Sequence, residues 1–221
     1  MKTVVLISGG IDSFVAAAIE KQKGSELYGF SVSYGQLHKK ELESAKKIGQ
    51  FLAVREHRFM NIDLSWLPSS LTNPDYIPET GKSTIPPTYV PARNIIFLSL
   101  ALAYAESIDA DAIVIGVHAI DYSGYPDCRP EFIESFQRVI DTGIKKSVEK
   151  KKIILKAPLL TLKKSEIIKI GLNLGLDFSI TWSCYKGEEK PCGECDSCKI
   201  RLAAFFEAGI KDPVEYKTKG G

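Results

Sequence analysis

Val4-Val5-Leu6-Ile7-Ser8-Gly9-Gly10-Ile11-Asp12-Ser13 is a β-branched run that stops on two glycines, and an Ala-rich helical pattern takes over from Phe14. The stretch reads as strand, turn, helix. At such a junction the unpaired N–H groups and the positive dipole end of the helix face whatever binds there, so the favoured ligand is an anion. Gly9 and Gly10 let the backbone curl with no Cβ in the way, while Ser8 and Ser13 add hydroxyl donors for phosphate oxygens. A lone Gly-Gly pair would warrant only an ordinary turn with Asp12 or Ser13 as helix cap. The whole string in this setting argues for a phosphate cradle. It lacks the lysine and the longer spacing of a Walker A loop, so γ-phosphate cleavage by that machinery is not indicated.

Outward from this loop the pattern repeats. Leu27 to Val32 is a second apolar run, a charged helical stretch covers about His38 to Phe51, and a third strand is predicted over Arg55 to Met60. The order βαβαβ predicts an α/β fold, a doubly wound parallel sheet covered on both faces. Residues 65–91 hold six prolines and few periodic apolar positions, which predicts a long ordered loop or active-site flap. Further elements are predicted as a helix over Ile95 to Ala105, a buried strand over Ala112 to Gly116, a helix over Pro130 to Val148, a strand near Ile153 to Leu155 and a helix over Ser165 to Leu174. We expect an α/β domain over 1–180 and a small C-terminal zinc-binding helical segment over 181–221, packed on it.

The chain has 221 residues, 44% of them hydrophobic, enough for one substantial core. Twenty-nine Lys and Arg against 27 Asp and Glu leave a charge of only +2, so no global field marks a nucleic-acid or membrane binder. With no leader cleavage site and no span of bilayer length, the expectation is a soluble cytoplasmic protein.

Cys184, Cys192, Cys195 and Cys198 are spaced C-x7-C-x2-C-x2-C. Each two-residue gap brings neighbouring sulfurs to one ion in a tight turn, and four thiolates in a tetrahedron favour a closed, structural Zn2+, one per chain. An iron–sulfur cluster, a redox CxxC pair and plain structural thiols are the alternatives. Cys128 stands apart from the four.

Gly116-Val117-His118-Ala119-Ile120-Asp121-Tyr122-Ser123-Gly124-Tyr125-Pro126-Asp127-Cys128-Arg129 follows the presumed central strand, where open α/β sheets bind ligands. A carboxylate at Asp121 or Asp127 can accept from the N1–H and N2–H2 of a guanine-like edge, Tyr122 and Tyr125 can stack on a flat heterocycle, and Arg129 is the nearest cation for a substrate carboxylate. For Arg129 a structural ion pair is an equal alternative.

The Ser8 to Ser13 loop resembles the SGGxDS loop of the ATP-pyrophosphatase superfamily. Together with Ser33-Tyr34-Gly35-Gln36, Tyr89-Val90-Pro91-Ala92-Arg93-Asn94, the loop from Gly116 and Thr181-Trp182-Ser183-Cys184-Tyr185, it makes nearly the whole chain similar to the 7-cyano-7-deazaguanine synthase family. One departure is His118, where many relatives are expected to carry Asn. The resemblance implies an adenine nucleotide alpha-hydrolase-like fold. It also implies an ATP-dependent ligase of queuosine biosynthesis that takes 7-carboxy-7-deazaguanine, ammonia and ATP, with Mg2+, to the nitrile through adenylated intermediates. On that basis Ser8, Gly9, Gly10, Asp12, Ser13, Arg93 and Lys164 are expected to hold ATP, with Asp12 and Lys164 catalytic. Asp121, Tyr122, Tyr125, Asp127 and Arg129 are expected at the substrate, and a homodimer at the level of assembly.

Three rivals share these features, one of them an amidotransferase-type enzyme such as NAD or GMP synthetase, for which the sequence offers no glutaminase domain or catalytic Cys context. A tRNA-modifying enzyme of the same superfamily could use Lys145, Lys146, Lys150, Lys151 and Lys152 against phosphates, though such a run is more often a solvated face and Glu149 interrupts it. A non-catalytic nucleotide or zinc-knuckle module would bind ATP without consuming it.

Overall fold

The structure is a computed structural model that describes residues 1–36, 40–73, 76, 85–118, 124–186 and 189–217. Strands β1 (Lys2–Leu6), β2 (Glu26–Ser33), β3 (Glu56–Asn61), β4 (Ala112–Val114) and β5 (Ile154–Lys156) form one sheet in the order β3-β2-β1-β4-β5. Every pairing is parallel, with Val4 opposite Tyr28 on one side and Ile113 on the other.

Side chains in a strand alternate between faces, and the alternation in β1 divides the core in two. Val4 enters a cluster with Phe30, Ile113, Leu98 and Phe136, which covers one face with α3 (Arg93–Ser107) and α4 (Pro130–Gly143). Val5 enters another with Phe14, Ile48, Ile167 and Phe205, which covers the opposite face with α1 (Ile11–Gln22), α2 (Lys40–Phe51), α6 (Lys164–Asn173) and α7 (Asp196–Glu207). The sheet is therefore doubly wound, as the strand–helix alternation predicts.

Several boundaries differ from the sequence expectation for physical reasons. Helix α1 begins at Ile11, three residues before the Ala-rich pattern, because Gly10 already has the extended conformation of a helix cap. The single helix predicted over Pro130 to Val148 breaks at Ile144, which is extended, into α4 and the short α5 (Lys145–Val148). The break turns Lys146 inward, where its buried ammonium donates to the Ala110 carbonyl at 2.7 Å and pairs with Asp109 at 2.7 Å. Lys146 thus leaves the surface run to its neighbours. The predicted helical start near His38 lies outside the described residues, as does part of the 65–91 loop.

His57 on β3 illustrates how tightly the second layer packs. Its ring occupies space that Gly29 and Gly49 leave open, and Ser31 Oγ lies 2.9 Å from its Nε2. Because the Ser31 hydroxyl donates to the Ile7 carbonyl at 2.5 Å, the imidazole Nε2–H is the donor in that contact. Burial lowers the His57 pKa from 6.5 to about 4. A depressed histidine stabilises the fold while neutral, above the unfolded value, and that contribution is lost as pH falls from 6.5 toward 4. The unfolding midpoint is expected to drop over this window, and His57→Gln, which keeps a donor for Ser31, is expected to flatten the drop. Superimposable pH–stability curves for the two proteins would refute this.

Candidate active site

In the order β3-β2-β1-β4-β5 the chain leaves β1 in one direction and returns through β4 on the other side, so the crevice beyond the carboxyl ends of β1 and β4 is the natural ligand site. A cavity of about 330 Å3 lies there. Its walls include Ser8, Gly10, Asp12 and Ser13 from the first loop, Tyr34 after β2, Glu41 at the start of α2 and Arg93 and Asn94 at the start of α3. His118, Tyr125, Lys164, Trp182 and Tyr185 add further side-chain chemistry, beside Gln36, Cys128, Ser183 and Ser197.

The loop after β1 is closed on itself by hydroxyls. Ser13 Oγ accepts from the Ser8 N–H at 3.2 Å, lies 3.1 Å from Ser8 Oγ and donates to the Gly10 carbonyl at 3.1 Å. No side chain caps α1, so the first-turn N–H groups keep the donor capacity that an anion needs. Two close approaches hold this loop. Gly9 has φ +93 and sits so near Glu41 that a Cβ would run into the Glu41 carbonyl. Gly116, just past β4, passes the start of α1 so closely that a Cβ would lie 2.7 Å from the Ser13 nitrogen.

Asp12 and Lys164 meet across the cavity, Lys164 Nζ donating to Asp12 Oδ2. The other carboxylate oxygen of Asp12 is buried with no hydrogen-bond partner among the described residues, and His118 Nε2 is 3.7 Å away. A buried acceptor left open beside a lysine is suited to a metal-bound or protonated ligand group. Arg93 follows Ala92, which has the left-handed φ of 56, and its Nη1 reaches the Tyr34 hydroxyl at 3.4 Å. Burial opposes the charge on Arg93, but the Tyr34 phenol, Asp127 and Glu41 hold its pKa above the ordinary value. Burial raises the carboxyl of Glu41 to about 7, against the pull of Arg93.

The structure thus brings Ser8, Gly10, Asp12, Ser13, Arg93, Lys164 and Tyr125 to one cavity. Gly9 supports the loop from behind: its carbonyl accepts from the Trp182 N–H at 2.9 Å. Two expected substrate residues stand elsewhere. Asp127 is buried and its carboxylate accepts from the Asn94 N–H at 3.0 Å, so it caps the start of α3 instead of lining the cavity. Arg129 is exposed at the start of α4, away from the lining. Asp121 and Tyr122 lie outside the described residues. Sequence reasoning missed Glu41, which reads as one acid among many in a charged helix, and the close-approach role of Gly116. A glycine directly after an apolar central strand was the only available sign of the latter.

The four cysteines converge as their spacing predicts. Their sulfurs all lie within 4.8 Å of one another, with Cys184 Sγ 3.6 Å and Cys198 Sγ 3.9 Å from Cys192 Sγ. A tetrahedron of thiolates about 2.3 Å from a zinc ion has sulfurs about 3.8 Å apart, so the arrangement fits a metal ion. Backbone N–H groups of Lys186 and Cys192 point at Cys184 Sγ at 3.4 Å, and those of Glu194 and Cys195 at Cys192 Sγ at 3.4 and 3.3 Å. Burial opposes the Cys192 thiolate, yet the N–H groups of Glu194 and Cys195 lower its pKa to about 6. Donors of this kind favour the ionised, ligating form.

Comparisons with known proteins agree with this geometry. Residues 2–209 match the family model described as queuosine biosynthesis protein QueC. A protein named 7-cyano-7-deazaguanine synthase from Desulfitobacterium hafniense is 50% identical over 99% of this chain and 94% of its own length. One of the same name from Acetivibrio thermocellus is 50% identical over 99% of both chains. Among solved structures, an NMN synthetase from Francisella tularensis superposes with a TM-score of 0.51 at 18% identity, covering 95% of this chain and 77% of its own. A predicted tRNA methyltransferase subunit from Methanocaldococcus jannaschii gives 0.52 at 17% identity, covering 96% and 90%. These two likenesses concern the fold alone.

Proposed function

The chain belongs to the QueC family of queuosine biosynthesis proteins, and from that premise we propose that it is an ATP-dependent carbon–nitrogen ligase converting 7-carboxy-7-deazaguanine and ammonia into 7-cyano-7-deazaguanine. The observation that carries the reading is the cavity in which the Ser8 to Ser13 loop, the Asp12–Lys164 pair and an aromatic wall with Tyr34 and Tyr125 meet. It offers a phosphate cradle and stacking faces within one enclosure of about 330 Å3.

A carboxylate resists amination because its charge repels the nucleophile and oxide is a poor leaving group. Transfer of AMP to the carboxylate oxygen removes both obstacles. In the proposed course the substrate carboxylate attacks the α-phosphate, pyrophosphate stays on the loop and Lys164, and ammonia displaces AMP to give the primary amide. A second ATP activates the amide oxygen, with release of pyrophosphate and one N–H proton, and loss of AMP with the remaining N–H proton leaves the nitrile. The protein's contribution is positioning and charge neutralisation. Mg2+ accompanies ATP, and the open oxygen of Asp12 is the proposed contact to the metal–phosphate group. Arg93 serves the nucleotide or substrate anion from the opposite wall. Tyr125 stacks on the heterocycle, and with Asp127 engaged by α3 the guanine edge falls to Asp121, beside Tyr122.

The four thiolates hold one structural zinc per chain, so that 181–221 is a metal-dependent appendage of the 1–180 domain. We place the enzyme in the cytoplasm as a homodimer. Among the described residues no helix is long and apolar enough to cross a membrane. The test is direct: protein incubated with 7-carboxy-7-deazaguanine, ammonium and Mg-ATP is expected to yield the nitrile by mass, with AMP and pyrophosphate. ADP and phosphate without AMP would defeat the adenylation scheme.

A further inference from the structure

Two carboxylates stand among the described residues that line the cavity, Asp12 and Glu41. Asp12 is held by Lys164 at the phosphate end. Glu41 lies in the first turn of α2 with its carbonyl pressed against Gly9, so the main chain sets its place relative to the phosphate loop. Among the described residues, the charged and titratable groups that face its carboxylate are Arg93 from α3, Tyr34 after β2 and Tyr185 before the last three thiols. With its carboxyl raised to about 7 by burial, Glu41 is a stronger base than an ordinary carboxylate and is still ionised in part at neutral pH.

The amination step of the proposed reaction has a demand that the phosphate end does not meet. Adenylation of a carboxylate moves no proton, but amination does. When ammonia attacks the acyl adenylate, the new nitrogen carries a positive charge and must lose a proton, or it remains the better leaving group. We infer that Glu41 is the base of the amination step: as the N–C bond forms, its carboxylate takes a proton from the nitrogen, the C–O bond to AMP breaks with its electron pair leaving on AMP, and the primary amide remains. The proton passes to solvent between turnovers. This inference rests on the function proposed above and adds a catalytic residue to it.

Glu41→Gln keeps the size of the side chain and removes the base. Two half-reactions separate its effects. Exchange of labelled pyrophosphate into ATP, with 7-carboxy-7-deazaguanine and no ammonium, reads adenylation; amide formation on adding ammonium reads amination. Glu41→Gln is expected to slow amide formation at least about 100-fold more than exchange, the scale of a lost general base. Expressed per free ammonia, whose fraction itself climbs with pH, the rise of the wild-type amination rate through about 7, where Glu41 ionises, should also disappear. Equal losses in both half-reactions would overturn the inference, because they would make Glu41 a substrate-binding or structural residue. Amide formation at the wild-type rate with an unchanged pH profile would overturn it as well. Wild-type protein supporting neither half-reaction would bring down the parent reading, and this failure is told apart because it precedes any substitution.

Discussion

Gly9→Ala is expected to abolish ATP turnover and to lower the unfolding midpoint by about 4–20 °C. Position 9 has φ +93, where an L side chain costs about 1–2 kcal/mol. The added Cβ would also strike the Glu41 carbonyl and come within 3.2 Å of the Ala45 nitrogen, both main-chain atoms of α2 that no rotamer change can move. Overpacking of that kind costs about 1–3 kcal/mol more. Together these amount to about 2–5 kcal/mol, and each kcal/mol shifts the midpoint of a chain of this size by about 2–4 °C. The damage falls on function because relief requires the loop and α2 to part, which misplaces the cradle and breaks the bond from the Trp182 N–H to the Gly9 carbonyl. Gly10→Ala is the control. Position 10 has φ −87, and its nearest neighbour to a Cβ is Ser8 Oγ at 3.6 Å, so its stability is expected to stay within about 0.5 kcal/mol of the parent. Thermal unfolding and pyrophosphate release on the two variants check the pair, and equal behaviour would refute the steric account.

The contrast between the two glycines shows where sequence reading reaches and where it stops. The string Ser8 to Ser13 announces a loop for anions because strand, turn and helix chemistry are all local to it. The same locality makes the parallel sheet legible, since Val4, Val5, Phe30 and Ile113 declare themselves as apolar runs of strand length. Which glycine bears the steric load depends on α2, some thirty residues away in sequence, and no local pattern records it. Asp127 and Arg129 stand off the cavity lining for the same kind of reason: the register of α3 against the Pro126–Cys128 turn gives the Asp127 carboxylate to the Asn94 N–H and leaves Arg129 outside. Lys146 reads as part of a solvated run until Asp109 and the Ala110 carbonyl draw it inward. Glu41 is invisible among its charged neighbours because a raised pKa is a property of the cavity, not of the helix. The metal site is the opposite case. Its spacing alone specifies convergence, and the sulfurs do converge.

Removal of the proposed zinc, by chelation or by Cys198→Ser, is expected to cost more than the local knuckle. Cys195 is the first cap of α7, and Cys198 lies in its first turn, so a metal held there would anchor the helix that sends Ala204 and Phe205 into the core shared with α1 and α6. On the next turn Arg201 is buried, donating to Asp212 at 2.7 and 2.9 Å, to Thr181 Oγ1 at 2.7 Å and to the Phe178 carbonyl at 3.1 Å. A shift of α7 would strand that guanidinium or its partners, and uncompensating a buried charge pair costs about 3–5 kcal/mol. Thr181 precedes Trp182, whose N–H holds the Gly9 carbonyl and whose ring carries Lys40 at 5.4 Å. The thiolates are therefore connected through Arg201, Thr181 and Trp182 to the back of the ATP loop, although none of the four sulfurs lines the cavity. The expected result is a midpoint lowered by about 6–20 °C, at about 2–4 °C per kcal/mol, and a loss of ATP turnover in step with metal release. Cys128→Ser, outside the cluster, should keep its zinc. Metal content, unfolding midpoint and pyrophosphate release measured on the same samples decide the matter, and a metal-free protein with unchanged turnover would show that the knuckle and the ATP loop are independent.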